Sequence, residues 1–248
     1  MLRQRPLHRS RSVLFTLRVA LVLALLLPLL WLRLLFARDE RNVFRLVRQC
    51  ARMALRLSGC RIRFAHAEHM PADGQAMLVS NHVSIADAAV LLAALPFDLR
   101  FVANHVFAGY PILGPMIRGV SAHIVDRGSW RSRADCAEAM VQALGRGRSL
   151  LVFPEGTTAN DGVLLPFRSG AFRAAARSGR PVVPIVIRGT RELMPPNTIW
   201  LSNVPIAIEL LPPLTARDAT RGGSADLCDR TATAIRERLA EMTKGINL

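Results

Sequence analysis

The stretch Asn81-His82-Val83-Ser84-Ile85-Ala86-Asp87 carries a histidine and a carboxylate five residues apart. A histidine just past a strand faces a cleft, where a general base belongs. In one straight helix, positions i and i+5 lie about 140° apart and would not meet. They can meet if His82 sits in a loop and Asp87 in the first turn of a helix. The carboxylate would then hold one imidazole nitrogen and raise the basicity of the other. That is the His–Asp half of a hydrolase triad without its nucleophile, a part that a substrate hydroxyl could fill. A helix-capping loop with a surface histidine fits the same spacing.

A second group is Phe153-Pro154-Glu155-Gly156-Thr157-Thr158, at the end of another apolar run. Gly156 lets the backbone approach a ligand closely, and the threonines offer hydroxyl and amide donors. Arg168 follows just before a helix start, and both arginine and a helix N-terminus suit phosphate. Glu155 beside phosphate makes sense if it orients an arginine or a substrate hydroxyl. A plain glycine turn is the alternative. A third group, Ile124-Val125-Asp126-Arg127, offers Arg127 to phosphate with Asp126 as its partner, although an isolated Asp-Arg pair is more often structural.

Other chemistries find little support. His66, His69 and His123 lack metal-ligand spacing and read as surface or packed residues. Cys50, Cys60, Cys136 and Cys228 form no C-x-x-C pair, which argues against a zinc or redox site and fits a reducing compartment. Ser84 is not in a G-x-S-x-G elbow, and neither a dinucleotide nor a Walker pattern occurs. No cofactor or metal is therefore expected.

The elements that must position these groups alternate. Strands are expected at 61–64, 76–79, 99–103, 121–125, 149–153, 182–187 and 206–210. Helices are expected at 85–95, with Ser84 as a cap, and at 134–144, 170–178 and 225–242. This is the pattern of an α/β fold, a mixed central sheet flanked by helices, with function in the loops at strand ends. The 248 residues are 51% hydrophobic and 21% charged, with mean hydropathy +0.25. Disordered, collagenous and coiled-coil chains are excluded, and the apolar excess suggests a membrane.

That excess has a place. Residues 1–63 hold 14 of the 33 basic residues and only two of the 18 acidic ones. After Arg3, Arg5, Arg9 and Arg11 comes a greasy run from 13 to 36, interrupted by Arg18 and Arg33. Its clean core, 19–32, contains Pro28 and falls short of the ~20 residues that a span needs. It would span only if the two arginines snorkel to opposite surfaces. A cleaved signal peptide lacks a clear cleavage site. Because positive flanks on both sides prefer the cytoplasm, a helix lying in one leaflet fits best. Next, Arg41, Arg45, Arg48, Arg52 and Arg56 recur on one helical face, with Val43, Leu46, Val47, Cys50, Met53, Ala54 and Leu57 opposite, and Gly59 ends the pattern. This reads as a basic amphipathic helix on an anionic leaflet. A solvated arginine face on a packed helix is the plain alternative, and nucleic acid is not expected. Residues 1–59 are thus expected to be a membrane-associated helical region and 60–248 one catalytic domain.

Taken in order, Asn81-His82 with Asp87, Ile124 to Arg127, Phe153 to Thr157 and Val182-Val183-Pro184-Ile185 resemble the four motif blocks of the PlsC-like 1-acyl-sn-glycerol-3-phosphate acyltransferases. The resemblance implies that His82 takes the proton from a lysolipid hydroxyl and that Asp87 orients His82. The hydroxyl then attacks an acyl thioester on coenzyme A or acyl carrier protein. Arg127, Glu155, Gly156, Thr157 and Arg168 would bind the glycerophosphate end. The expected partners are a lysolipid acceptor, that acyl donor and the bilayer. The expected location is the bacterial inner (cytoplasmic) membrane, with the catalytic domain on its cytoplasmic side. One departure is Asn104, where the family often has lysine. It keeps another acceptor open, such as a lyso-ornithine lipid or a different lysophospholipid. A lipid hydrolase using His82 to activate water, and a non-catalytic membrane-binding protein, are the alternatives from other classes.

Overall fold

The computed structural model describes residues 6–37, 39–104, 114–125, 130–158, 163–217 and 221–244. A seven-stranded sheet forms the centre, in the order β1-β7-β6-β2-β5-β3-β4. The strands are β1 (Ile62–Ala65), β2 (Met77–Ser80), β3 (Leu99–Asn104), β4 (Ser121–Val125), β5 (Ser149–Val152), β6 (Val182–Arg188) and β7 (Ile206–Leu210). All neighbours are parallel except β6 and β7. The sheet is therefore mixed: β7 and β1 run against the other five strands.

Side chains alternate across this sheet with the two-residue period of a strand. On one face Leu78, Leu151, Val183, Ile185 and Ile187 pack with helices α1 (Pro6–Leu34), α2 (Glu40–Ser58), α3 (Ala86–Ala94) and α4 (Gly114–Val120). On the other, Met77, Val79, Leu150, Val182 and Val186 pack with α5 (Trp130–Gly145), α6 (Gly170–Ser178) and α8 (Arg221–Lys244). A short helix, α7 (Thr190–Leu193), follows β6. Burial on both faces explains why β2 and β6 are almost wholly apolar.

The N-terminal helices join the first of these cores through Phe15, Leu30, Phe44 and Val47. Even so, α1 leaves Leu14, Leu17, Leu21, Leu25, Leu29 and Leu32 exposed. Its segment Ser10–Leu34 is long and apolar enough to cross a membrane, by length and composition alone. Pro28 lies inside the helix without ending it.

Three arginines of this region bond to backbone carbonyls of the protein. Arg18 Nε donates to the Leu57 carbonyl at 2.7 Å and so ties α1 to the C-terminus of α2. The arginine stripe of α2 is not wholly free for a leaflet. Arg52 Nε donates to the Ala93 carbonyl at 2.7 Å, and Arg48 Nη1 to the Phe97 carbonyl at 3.1 Å. Ala93 carries one of the orphan carbonyls in the last turn of α3, where cations are favoured, and Phe97 lies in the loop just beyond it. Arg41, Arg45 and Arg56 remain exposed. Gly59 ends α2 in the left-handed conformation, φ +79°.

Candidate active site

Strands β2 and β5 are parallel neighbours, so the loops leaving their C-terminal ends lie side by side. The first loop carries His82; the second carries Phe153 to Thr157. This adjacency brings together motifs that lie some 70 residues apart in the chain.

The His82 loop is held from three directions. Asp87 stands in the first turn of α3 and is fully buried. Its Oδ2 lies 2.9 Å from His82 Nδ1 and also accepts the Val83 and Ser84 amides at 2.8 and 2.9 Å. The carboxylate closes the turn and fixes the imidazole in one stroke. With Nδ1 committed to Asp87, Nε2 is the nitrogen that can exchange a proton. Ser84 was expected to cap α3, and its Oγ does accept the Ala86 amide at 3.2 Å. However, the three bonds to Oδ2 put Asp87 at the centre of this turn.

From the β6 side, the buried Asn81 amide pairs with the backbone of Ile187. Nδ2 donates to the Ile187 carbonyl at 3.0 Å, and Oδ1 accepts its N–H at 2.9 Å. From the β5 side, Glu155 Oε1 accepts the His82 backbone N–H at 2.7 Å. The Phe153 ring stacks on the imidazole, with centroids 4.1 Å apart and planes 19° apart. His82 keeps 18% of its side chain exposed, enough to be reached from outside.

Glu155 does more than the sequence suggested. Its other oxygen, Oε2, accepts the Leu165 N–H at 2.8 Å. The buried carboxylate thus bridges the His82 loop to the segment that leads into α6. Burial pushes its pKa above the ordinary carboxylate value, against the downward pull of the two amides and of His82. Resemblance grouped Glu155 with the residues that bind substrate; in this geometry both of its oxygens are engaged by protein amides.

The bridge brings Arg168 across the glycine turn. The Arg168 backbone N–H donates to the Pro154 carbonyl at 3.0 Å. Its guanidinium lies so close over Gly156 that a Cβ there would sit 2.7 Å from Arg168 Nε. Gly156 also has φ +79°, so both its backbone and its lack of a side chain are used. Thr157 and Arg168 are exposed beside the buried Glu155 and Gly156. The turn and arginine together make an open, positively charged ledge. Arg127 lies outside the described residues. Among the described residues, no three of His, Cys, Asp and Glu gather as a metal-ligand set.

Comparison with known proteins agrees with this picture. The family model named Acyltransferase matches residues 61–188, just over half the chain. A 1-acyl-sn-glycerol-3-phosphate acyltransferase of Limnanthes alba is 30% identical over 202 residues, 81% of this chain and 69% of that protein. A chloroplastic 1-acyl-sn-glycerol-3-phosphate acyltransferase of Brassica napus, BAT2, is 33% identical over 69% of this chain. The match spans only 49% of that longer protein. The crystal structure of the 1-acyl-sn-glycerophosphate acyltransferase PlsC of Thermotoga maritima superposes with a TM-score of 0.77, covering 95% of this chain and 98% of that one at 20% identity. That last likeness speaks for the fold; the matched family pattern and the plant relatives carry the assignment, and this chain belongs to the PlsC-like acyltransferase family.

Proposed function

We propose that this protein transfers an acyl group from a thioester donor, acyl-CoA or acyl carrier protein, to the free hydroxyl of 1-acyl-sn-glycerol-3-phosphate, giving phosphatidic acid. The observation that carries the reading is the His82–Asp87 pair, fixed on a clamped loop and open to solvent, beside the Gly156–Arg168 ledge. His82 Nε2 takes the proton of the acceptor hydroxyl as its oxygen bonds to the thioester carbonyl carbon. The tetrahedral intermediate then collapses, the carbon–sulfur bond breaks, and the departing thiolate takes the proton back from the imidazolium. Asp87 stabilises the imidazolium in between. A positioned base of this kind contributes about 10²–10⁴-fold, and no metal or cofactor is required.

Arg168 and Thr157 bind the acceptor phosphate. Arg127 is proposed as a further ligand on the resemblance alone. Glu155 acts as a positioning residue, through the two backbone amides that it holds. The exposed leucines of α1 lie in the cytoplasmic leaflet of the inner membrane, which is where an anionic lysolipid is found.

The test supplies labelled acyl-CoA or acyl carrier protein to the purified protein in vesicles, with lysophosphatidate or lysophosphatidylethanolamine as acceptor. Diacyl product from lysophosphatidate, abolished in His82→Ala, is the expected result. Free fatty acid in place of diacyl lipid would mean hydrolysis and sink the proposal. Product only from the zwitterionic acceptor would keep the chemistry and move the acceptor, an outcome to which Asn104 would then give meaning.

A further inference from the structure

The loop between α7 and β7 starts past the C-terminal end of β6. That edge of the sheet also carries the His82 loop, because β2 and β6 are parallel neighbours. The loop exposes Ile199 and Trp200, at 76% and 36%, and Met194 is exposed at its start. Ile85, three residues beyond His82, is 68% exposed. Large apolar side chains on two neighbouring loops around a catalytic opening are not what a water-facing rim requires.

The loop is a built structure. The Leu201 N–H donates to Thr16 Oγ1 of α1 at 2.8 Å, and the Thr16 hydroxyl donates to the Ser12 carbonyl at 2.7 Å. The Ser202 amide donates to the Leu193 carbonyl at 2.9 Å, and the Trp200 amide to Thr198 Oγ1 at 3.1 Å. Leu201 and Val204 pack into the core that α1 and α2 share with the sheet. The loop that carries the exposed pair is therefore held on the first half of α1, the half that also exposes Leu14, Leu17 and Leu21 on another side of the helix.

We propose that Ile199 and Trp200 form a second contact with the lipid leaflet, separate from the α1 helix and fixed to it, which sets the depth at which the His82 opening meets the bilayer. The inference rests on the reading that α1 lies in a membrane. The occupant follows from attachment: the loop is bonded to the same half of α1 that exposes Leu14, Leu17 and Leu21, so a leaflet that takes those leucines is the surface the loop meets. Tryptophan suits that level, since its ring is apolar and its N–H can reach headgroup oxygens. A single apolar contact gives marginal, reversible binding, and a second one fixes orientation. The tie through Thr16 makes the two contacts one rigid footprint.

The chain has three tryptophans, Trp31, Trp130 and Trp200, so the contact can be watched directly. A full-length chain with Trp31→Phe and Trp130→Phe keeps Trp200 as its sole reporter. A second chain lacking all three carries Leu25→Trp as the reporter for α1. Both are bound to phosphatidylcholine–phosphatidylglycerol vesicles whose acyl chains are brominated at shallow or deep positions. The expected result is several-fold quenching of Trp200, stronger with shallow bromines, together with quenching of the α1 reporter. Ile199→Asp should abolish most of the Trp200 quenching and leave the α1 reporter unchanged. It should also lower turnover of vesicle-borne lysophosphatidate several-fold and spare a short-chain acceptor dissolved in buffer. Quenching at the α1 reporter with none at Trp200 would overturn this proposal and leave the membrane reading standing. Quenching at neither would overturn both. Trp200 shielded from lipid, in a chain whose mass in detergent is that of a dimer, would give the loop to a second copy and overturn the proposal as well.

Discussion

Asp87 meets His82 through a single oxygen. Oδ2 takes His82 Nδ1 and the Val83 and Ser84 amides, whereas Oδ1 is buried with no partner among the described residues. One atom thus folds the turn and orients the imidazole. Asp87→Asn keeps the shape and can still accept the two amides, but it cannot stabilise an imidazolium. The expected outcome is a fall in kcat of about 10²–10⁴-fold, with the thermal midpoint moved by only a few degrees. His82→Ala should cost activity at least as much, with little effect on melting. A large loss of melting temperature in Asp87→Asn, with kcat intact among the folded molecules, would make Asp87 purely a structural residue.

Glu155 ties stability to pH. Its folded pKa is raised by burial, so the folded state favours the protonated form. A raised pKa contributes stability that is fully present below the unfolded value, about 4.3, and is lost as pH rises through the folded value. Glu155→Gln does not titrate and leaves one of the two amides facing an NH2 group, at a cost of about 1–3 kcal/mol. The advantage of the native chain over Glu155→Gln should therefore shrink from about pH 4 upward, as read from denaturant unfolding at several pH values. A gap that widens with pH would show the opposite shift.

Gly156 and Arg168 form one device. In Gly156→Ala the new Cβ meets the guanidinium and the left-handed backbone costs about 1–2 kcal/mol. The expected result is a higher KM for lysophosphatidate, with kcat less affected. Arg168→Gln should raise that KM about 10–100-fold, the value of a charge-assisted hydrogen bond of about 1.5–3 kcal/mol. An uncharged monoacylglycerol acceptor should be indifferent to Arg168→Gln. Equal loss on both acceptors would separate Arg168 from the phosphate.

Asn81→Ala removes both bonds to the Ile187 backbone and strands a buried N–H and a buried C=O. Destabilisation of about 2–4 kcal/mol is expected, measurable by urea unfolding. A cost near zero would mean that water replaces the side chain.

Local pattern made the pairing of His82 with Asp87 legible, because a strand end followed by a helix start lets the two side chains meet. The expected ranges 121–125, 170–178 and 206–210 match β4, α6 and β7 to the residue. The partner of Glu155 was not legible. It depends on β2 lying next to β5, and parallel pairing between distant segments leaves no local trace. The arginines of α2 show the same limit: periodicity places Arg48 and Arg52 on one face, but only the tertiary structure puts the end of α3 beneath them. The helix Gly114–Val120 was missed because two glycines and Pro115 hide it, and Thr190–Leu193 because four residues carry no period.

The edge pairing of β1 with β7 has a consequence for the order of events at the ribosome. Among the described residues β1 has β7 as its only neighbour in the sheet, and the two lie more than 140 residues apart. At about 5–20 residues per second, α1 is made several seconds or more before Ile206. The apolar helix is therefore available for insertion while the sheet still lacks an edge, and on the proposed membrane reading attachment precedes completion of the sheet. A nascent chain stalled before residue 206 should already float with membranes, yet be cut by protease around β1.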